Sequence, residues 1–262
     1  MNIPHTPLLD ECADKFGIKV IRYGTTDSTN TRAKEYYKSE GNASPAIFIT
    51  RAQSAGRGTR GRSFESPIDS GLYISFLFFP TLRAADAARL TTYAATRVCR
   101  AIDRISSGKT ERPLIKWVND IYIGEKKVAG ILTEGTPDEC GNLLYAVVGI
   151  GINLKRGALS SELADIATTL EEHSILTDTD SLAAILTEEF FGGLSALSES
   201  EIMQEYRERS MLIGRRVTVA SGNTEECVTV TDIGDDGALI ARDDGGTVRR
   251  YLSADARLIK NK

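Results

Sequence analysis

Histidine is nearly absent. Only His5 and His173 occur in 262 residues, which excludes a histidine-rich metal site and disfavours a Ser-His-Asp triad. Cysteine is sparse too: Cys12, Cys99, Cys140 and Cys227 lie far apart and form no CxxC pair. Such thiols fit a reducing cytosol better than a disulfide framework. Long apolar runs are missing. The longest, around "LYISFLFFP", is far too short to span a bilayer, and the N-terminal "MNIPHTPLLDECADKFG" reaches Asp10 and Glu11 before any apolar run, unlike a signal peptide. Positive charge is not in excess. The 32 Lys and Arg stand against 36 Asp and Glu, a formal net charge of -4, which argues against nucleic-acid binding through a broad basic face. Internal repeats and low-complexity segments are lacking. The composition, 41% hydrophobic and 26% charged, is that of a soluble protein. The length suits one large domain, or one domain plus a small one, with a real core.

Periodicity divides the chain. "KVIRY" (19–23), "AIFIT" (46–50) and "LYISFLFF" (72–79) read as strands, with a helix opening at "DSTNTRAKEYY" (27–37) behind a cap at Asp27 or Ser28. From Leu82 the apolar residues recur mostly at four-residue steps through Leu90, Ala94, Val98, Ile102 and Ile105, which predicts a helix stopped at Gly108. "LIKWV", "IYIG", "KKVAGILTE" and "LLYAVVGIGINL" read as consecutive strands. Further helices follow, one marked by Leu182, Ile185, Leu186, Phe190 and Leu194, another over roughly 201–209. Beyond Ile213 short strands alternate with turns such as Asp236-Gly237 and Gly245-Gly246. The expected organisation is a domain over 1–211 and a small β-barrel over 212–262.

"SAGRGTRGRSF" (54–64) carries three glycines and three arginines. Gly56, Gly58 and Gly61 match G-x-G-x-x-G, but Pro67 and Gly71 follow where a dinucleotide site needs a helix, and no G-K-[ST] follows. A solvated surface loop is one reading. The other is an anion-binding loop, in which glycines admit a phosphate, arginine forks bind it and the loop orders over the ligand. Three more segments bear on the choice. "KWVND" places Asn119 and Asp120 at a strand end, which by itself could be a turn. "KKVAGIL" places Lys127 before a buried run containing Gly130, which could be an edge lysine and a bulge. "GIGIN" ends a buried strand at Asn153, where the glycines could mark a close backbone crossing.

In this order, "DSTN" (27–30), "QSAGRGTRGR" (53–62), "KWVND" (116–120), "KVAGIL" (127–132) and "GIGIN" (149–153) resemble the biotin protein ligases over most of residues 20–155. The resemblance implies an α+β fold: a mixed-sheet catalytic domain of the biotin/lipoate ligase type with an SH3-like C-terminal barrel. It implies ATP and biotin as substrates with Mg²⁺, and a biotin carboxyl carrier domain of a carboxylase or decarboxylase as partner, in the cytoplasm. Ser28, Thr29, Asn30, Gln53, Arg57, Gly58, Thr59, Lys127 and Gly130 would bind biotin. Arg57, Arg60, Arg62, Asn119 and Asn153 would meet the nucleotide, with Asn119 also on the metal side, and Trp117 would pack in the core or beside the nucleotide. Lys127, Arg60 and Arg62 would offset charge as the carboxylate attacks the α-phosphorus, and Asp120 would take the proton of the acceptor lysine.

Three departures stand out. Val118 replaces the family's usual proline, Phe64 a common tryptophan, and Thr59 a loop arginine that contacts the acyl-adenylate. Only about 20 residues precede the first catalytic strand, so the resemblance points to the form without a DNA-binding domain; a homodimer remains open. A lipoate or octanoate ligase of the same fold and a non-catalytic sensor of biotin or its adenylate are the rival expectations.

Overall fold

The computed structural model describes residues 8–40, 44–106, 108, 111–196, 200–221, 224–252 and 254–259. Its first part is built on a seven-stranded mixed sheet. In chain order the strands are β1 (Lys19–Tyr23), β2 (Ala46–Thr50), β3 (Gly71–Phe78), β4 (Leu114–Lys116), β5 (Asp120–Ile123), β6 (Lys126–Pro137) and β7 (Leu143–Asn153). Across the sheet the order is β1-β2-β3-β7-β6-β5-β4. Only β1 and β2 run parallel; every other pairing is antiparallel.

Side chains alternate between the two faces of a strand, and here both faces are covered. Leu72, Ile74, Phe76 and Phe78 of β3 point into the main core. Over it lie α1 (Leu8–Lys15), α3 (Ala88–Ser106) and α4 (Thr179–Gly192). Phe190 and Phe191 of α4 stack on Phe76 and Phe78. A fully buried aromatic of this kind is worth roughly 1.5–3 kcal/mol. The opposite face carries α2 (Thr29–Glu40), whose Ala33, Tyr36 and Tyr37 pack on Phe48, Leu77, Tyr145 and Val147. The Ser28 carbonyl accepts the Arg32 amide at 3.0 Å, which makes Ser28 the cap of α2.

The helix predicted from Leu82 begins six residues later. Residues 82–84 instead pair with the turn between β6 and β7: the Leu82 carbonyl accepts from Leu143 N (2.8 Å) and Ala84 N donates to the Gly141 carbonyl (2.9 Å). Backbone pairing outcompetes the apolar period there. Gly108, at φ 71°, lies just beyond the end of α3, as its spacing implies.

After α5 (Ser200–Glu208) come β8 (Arg216–Ser221), β9 (Thr224–Ile233), β10 (Leu239–Asp243), β11 (Val248–Tyr251) and β12 (Asp255–Leu258). They form a five-stranded antiparallel sheet in the order β11-β10-β9-β8-β12, folded around Val217, Val219, Val228, Val230, Leu239 and Ala256. This small β unit shares its core with the first part. Trp117 Nε1 donates to the Gly237 carbonyl at 2.7 Å, and Arg207 Nε to the Ile233 carbonyl at 2.6 Å. Among the described residues no helix is long and apolar enough to cross a membrane.

Candidate active site

A cavity of about 510 Å³ opens on the α2 face of the sheet. Its floor is made of glycine. Gly130 and Gly151 are partners across β6 and β7, and Gly149 faces Leu132 one step along. The glycines are needed because side chains from elsewhere lie flat on them. A Cβ on Gly149 would stand 2.1 Å from Asn30 Oδ1, and one on Gly151 would stand 2.4 Å from Phe64 Cε1. The close approach expected of "GIGIN" is therefore real, but it is made by side chains and not by a second backbone.

One end of the cavity is neutral and polar. Gln53 Oε1 accepts from Thr29 N at 2.9 Å, and its amide nitrogen donates to Ser66 Oγ at 2.9 Å. The Ser75 hydroxyl lies 2.6 Å from Asn30 Oδ1 and 2.7 Å from Thr29 Oγ1. Ser28, Thr29 and Asn30 are each buried, held by the first turn of α2 against β3. Buried, oriented amides and hydroxyls of this kind suit a ligand with fixed donors and acceptors.

The other end is charged. A bulge lets β6 turn both Val128 and Ala129 into the core and return Lys127 to the face of Gly130. Lys127 Nζ lies 2.7 Å from Asp120 Oδ1 and 5.8 Å from the centre of the Phe64 ring. Asp120 opens β5 opposite Lys116. Burial pushes the Lys116 ammonium below its usual pKa, with Asp120 and Asp255 pulling the other way. Tyr122, whose ring lies beneath the Lys116 ammonium, is pushed up to about 12 by burial. Asn119 Nδ2 donates to the Ile131 carbonyl at 2.8 Å, and Asn153 Nδ2 donates to the Thr168 carbonyl at 3.1 Å. Leu159, Leu163, Ile166 and Ala167 add an apolar wall, tied down by Lys127 N to the Ile166 carbonyl (3.0 Å) and Thr168 N to the Lys127 carbonyl (2.8 Å).

The Gly/Arg segment forms a tight hairpin over this cavity. Phe64 N donates to the Gly56 carbonyl (2.9 Å) and Gly58 N to the Arg62 carbonyl (2.7 Å), with a short 3-10 turn at Thr59–Gly61. Arg57, Gly58, Thr59 and Arg62 line the cavity; Arg60, at φ 58°, does not. Trp117 takes the core place: in the turn between β4 and β5 it is 5% exposed, and it holds the C-terminal unit through Gly237. The remaining residues expected at the site line the cavity. Sequence reasoning passed over Ser75, Glu134 and the C-terminal pair Asp255 and Arg257, of which Asp255 and Arg257 also line it. Strand alternation from Gly130 could have found Glu134; no local signal marks the others.

The profile described as "Biotin/lipoate A/B protein ligase family" matches residues 23–153, and that described as "Biotin protein ligase C terminal domain" matches residues 212–258. The biotin--[acetyl-CoA-carboxylase] ligase of Paracoccus denitrificans is 31% identical over 229 residues, covering 84% of this chain and 93% of that protein. The chain belongs to the biotin/lipoate A/B protein ligase family. It is also 31% identical to the bifunctional ligase/repressor BirA of Escherichia coli K12 over 202 residues, 75% of this chain but 61% of that protein. The chain thus spans less than two thirds of that longer relative. Among solved structures it is similar to the biotin protein ligase of Aquifex aeolicus in complex with biotin and ATP, with a TM-score of 0.74, 25% identity, and coverage of 93% of this chain and 99% of the other. The likeness spans both the mixed sheet and the C-terminal unit, as expected for an α+β ligase fold.

Proposed function

We propose that this chain joins biotin to ATP as biotinyl-5'-AMP and then transfers the biotinyl group to a lysine of a biotin carboxyl carrier domain. The observation that carries the reading is one cavity with a fixed amide and hydroxyl cradle at one end, a glycine floor on which Asn30 and Phe64 lie, and Lys127, Asp120, Lys116 and Arg62 at the other. The family match supports it.

In the first step a biotin carboxylate oxygen attacks the α-phosphorus, and the bond to the β-phosphate's bridging oxygen breaks as pyrophosphate leaves. Lys127 and Arg62 offset the charge that gathers there. In the second, the acceptor amine attacks the acyl carbon, the bond from that carbon to the bridging anhydride oxygen breaks, AMP leaves with that oxygen, and Asp120 takes the amine proton. Mg²⁺ fits this donor set. Among the described residues no group of three or more His, Cys, Asp or Glu forms a metal cage, but Mg²⁺ on a triphosphate keeps most of its waters and needs few protein oxygens. Asn119 would supply Oδ1, its nitrogen being engaged with Ile131. When bound, the ion would screen the phosphate charges and favour attack.

The four cysteines carry no disulfide, which suits the cytoplasm, and the net charge of -4 favours a protein partner over DNA. ATP–pyrophosphate exchange with biotin or lipoate as the sole acid tests the substrate. Exchange with lipoate alone would replace biotin in the reading. Biotin binding without labelling of an added carrier domain would make the protein a sensor.

A further inference from the structure

Glu134 lies on β6 four residues past Gly130 and shares its face. Its carboxylate gathers donors from two other elements. Lys34 Nζ of α2 lies at 2.8 Å and Asn30 Nδ2 at 2.9 Å, while the Arg57 guanidinium meets both oxygens, at 2.9 and 3.2 Å. The Glu134 side chain is 20% exposed, that of Arg57 44%. The Asn30 amide is thus fixed from both ends, by Glu134 at nitrogen and by Ser75 at oxygen.

This arrangement bears on what Arg57 does. Both of its terminal nitrogens are engaged with a protein carboxylate in the forked geometry that would otherwise receive a substrate anion. Arg57 also sits on the first arm of the loop hairpin, bridged to Ser63, one residue after the glycine whose carbonyl ties down Phe64. Arg62 differs. Its contacts are long ones within the loop, 3.4 and 3.5 Å to Thr59, and they can give way to a phosphate.

We propose that Glu134 is a positioning residue that latches the root of the Gly/Arg loop to the sheet through Arg57 while it orients Asn30 over the glycine floor. Arg57 then acts on the loop, and Arg62 is the loop cation left for substrate. The loop's service in retaining an adenylate rests on the ligase reading above; the latch itself does not.

The test uses the full chain without ligand. Hydrogen exchange of peptides covering 56–64 is compared in the native protein, Glu134→Gln, Arg57→Ala, the double variant and Lys34→Met. Glu134→Gln keeps the shape and an acceptor for Lys34 and removes the charged fork. Either loop-latch variant should speed exchange by roughly three- to tenfold, the size expected of a half-exposed charged pair. The double variant should be no faster than the singles, as for two halves of one interaction. Lys34→Met should leave loop exchange unchanged. Unchanged exchange in Glu134→Gln, additive effects, or an equal effect of Lys34→Met would overturn the latch. In parallel, Glu134→Gln and Arg57→Ala should raise the release of labelled biotinyl-adenylate by equal factors. Abolished pyrophosphate exchange in Arg57→Ala alone would return Arg57 to the substrate and overturn the proposal. Absence of biotin-dependent exchange in the native protein would defeat the ligase reading and leave the latch to be decided by hydrogen exchange.

Discussion

Lys127 Nζ and Asp120 Oδ1 stand 2.7 Å apart, on neighbouring strands, so the cation assigned to the first half-reaction neutralises the base assigned to the second. An incoming carboxylate or phosphate competes with Asp120 for Lys127. On the proposed mechanism, a ligand that recruits the lysine would release the aspartate and so couple the order of the two steps to the order of binding. Lys127→Ala should slow adenylate formation by about 10²–10³-fold while weakening biotin binding much less. Pyrophosphate exchange set against biotin calorimetry reads both; lost affinity with a normal exchange rate would contradict the assignment.

Asp120→Asn should leave pyrophosphate exchange largely intact and slow transfer to the carrier lysine by about 10²–10⁴-fold. An amine with pKa near 10.4 is mostly protonated at neutrality, so raising the pH should restore part of the loss. Single-turnover transfer from preformed adenylate across a pH series is the measurement. Equal damage to both half-reactions would assign Asp120 to the metal or the loop.

Gly149→Ala places a methyl 2.1 Å from Asn30 Oδ1. Asn30 is held at both ends of its amide, so it cannot swing away cheaply. Overpacking of this kind costs about 1–3 kcal/mol, and because the displaced group lines the cradle, biotin affinity should fall by roughly tenfold or more. Titration calorimetry checks this; unchanged affinity would mean that Asn30 does not touch the ligand.

Thr59→Arg should slow the escape of biotinyl-adenylate. Thr59 lines the cavity and offers one hydroxyl where an arginine would offer a charged fork worth about 1.5–3 kcal/mol, a factor of roughly ten to a hundred in release rate. A pulse of labelled adenylate chased with unlabelled biotin and ATP gives the rates. Equal rates would show that Arg62 or Lys127 already does the holding.

Burial raises the Glu134 pKa, yet hydrogen bonds from Lys34 and Asn30 and the charges of Lys34 and Arg57 outweigh it and hold the carboxyl below its ordinary 4.5. A carboxyl depressed on folding contributes stability above its unfolded pKa and loses that contribution as pH falls through the folded value. Native protein should therefore exceed Glu134→Gln in urea stability at pH 7, and the gap should close progressively below about pH 4.5. A gap that widens in acid would contradict the depressed pKa.

Much of this was readable in the chain because the relevant signals are local. Glycines at 130, 149 and 151 mark a face that must stay flat, and Asp120 and Lys127 belong to one short hairpin, Asp120 at its open end and Lys127 opposite Tyr122. What was hidden depends on tertiary geometry. The start of α3 is displaced because residues 82–84 pair with a turn some sixty residues onward. Trp117 follows the cavity residue Lys116 in sequence, yet packs in the core. The fork between Arg57 and Glu134 forms only because the sheet brings that carboxylate beneath the loop, and Asp255 and Arg257 reach the cavity from the C-terminal unit, which docks through Gly237.

That docking contact has a practical corollary. Trp117 is the sole tryptophan of the chain, it is 5% exposed, and its indole N–H is tied to the far side of the domain junction, 2.7 Å from the Gly237 carbonyl. The protein thus carries its single indole on the seam between its two parts. Any event that parts them would wet the indole and shift its emission to the red, so the seam can be followed in real time without a label.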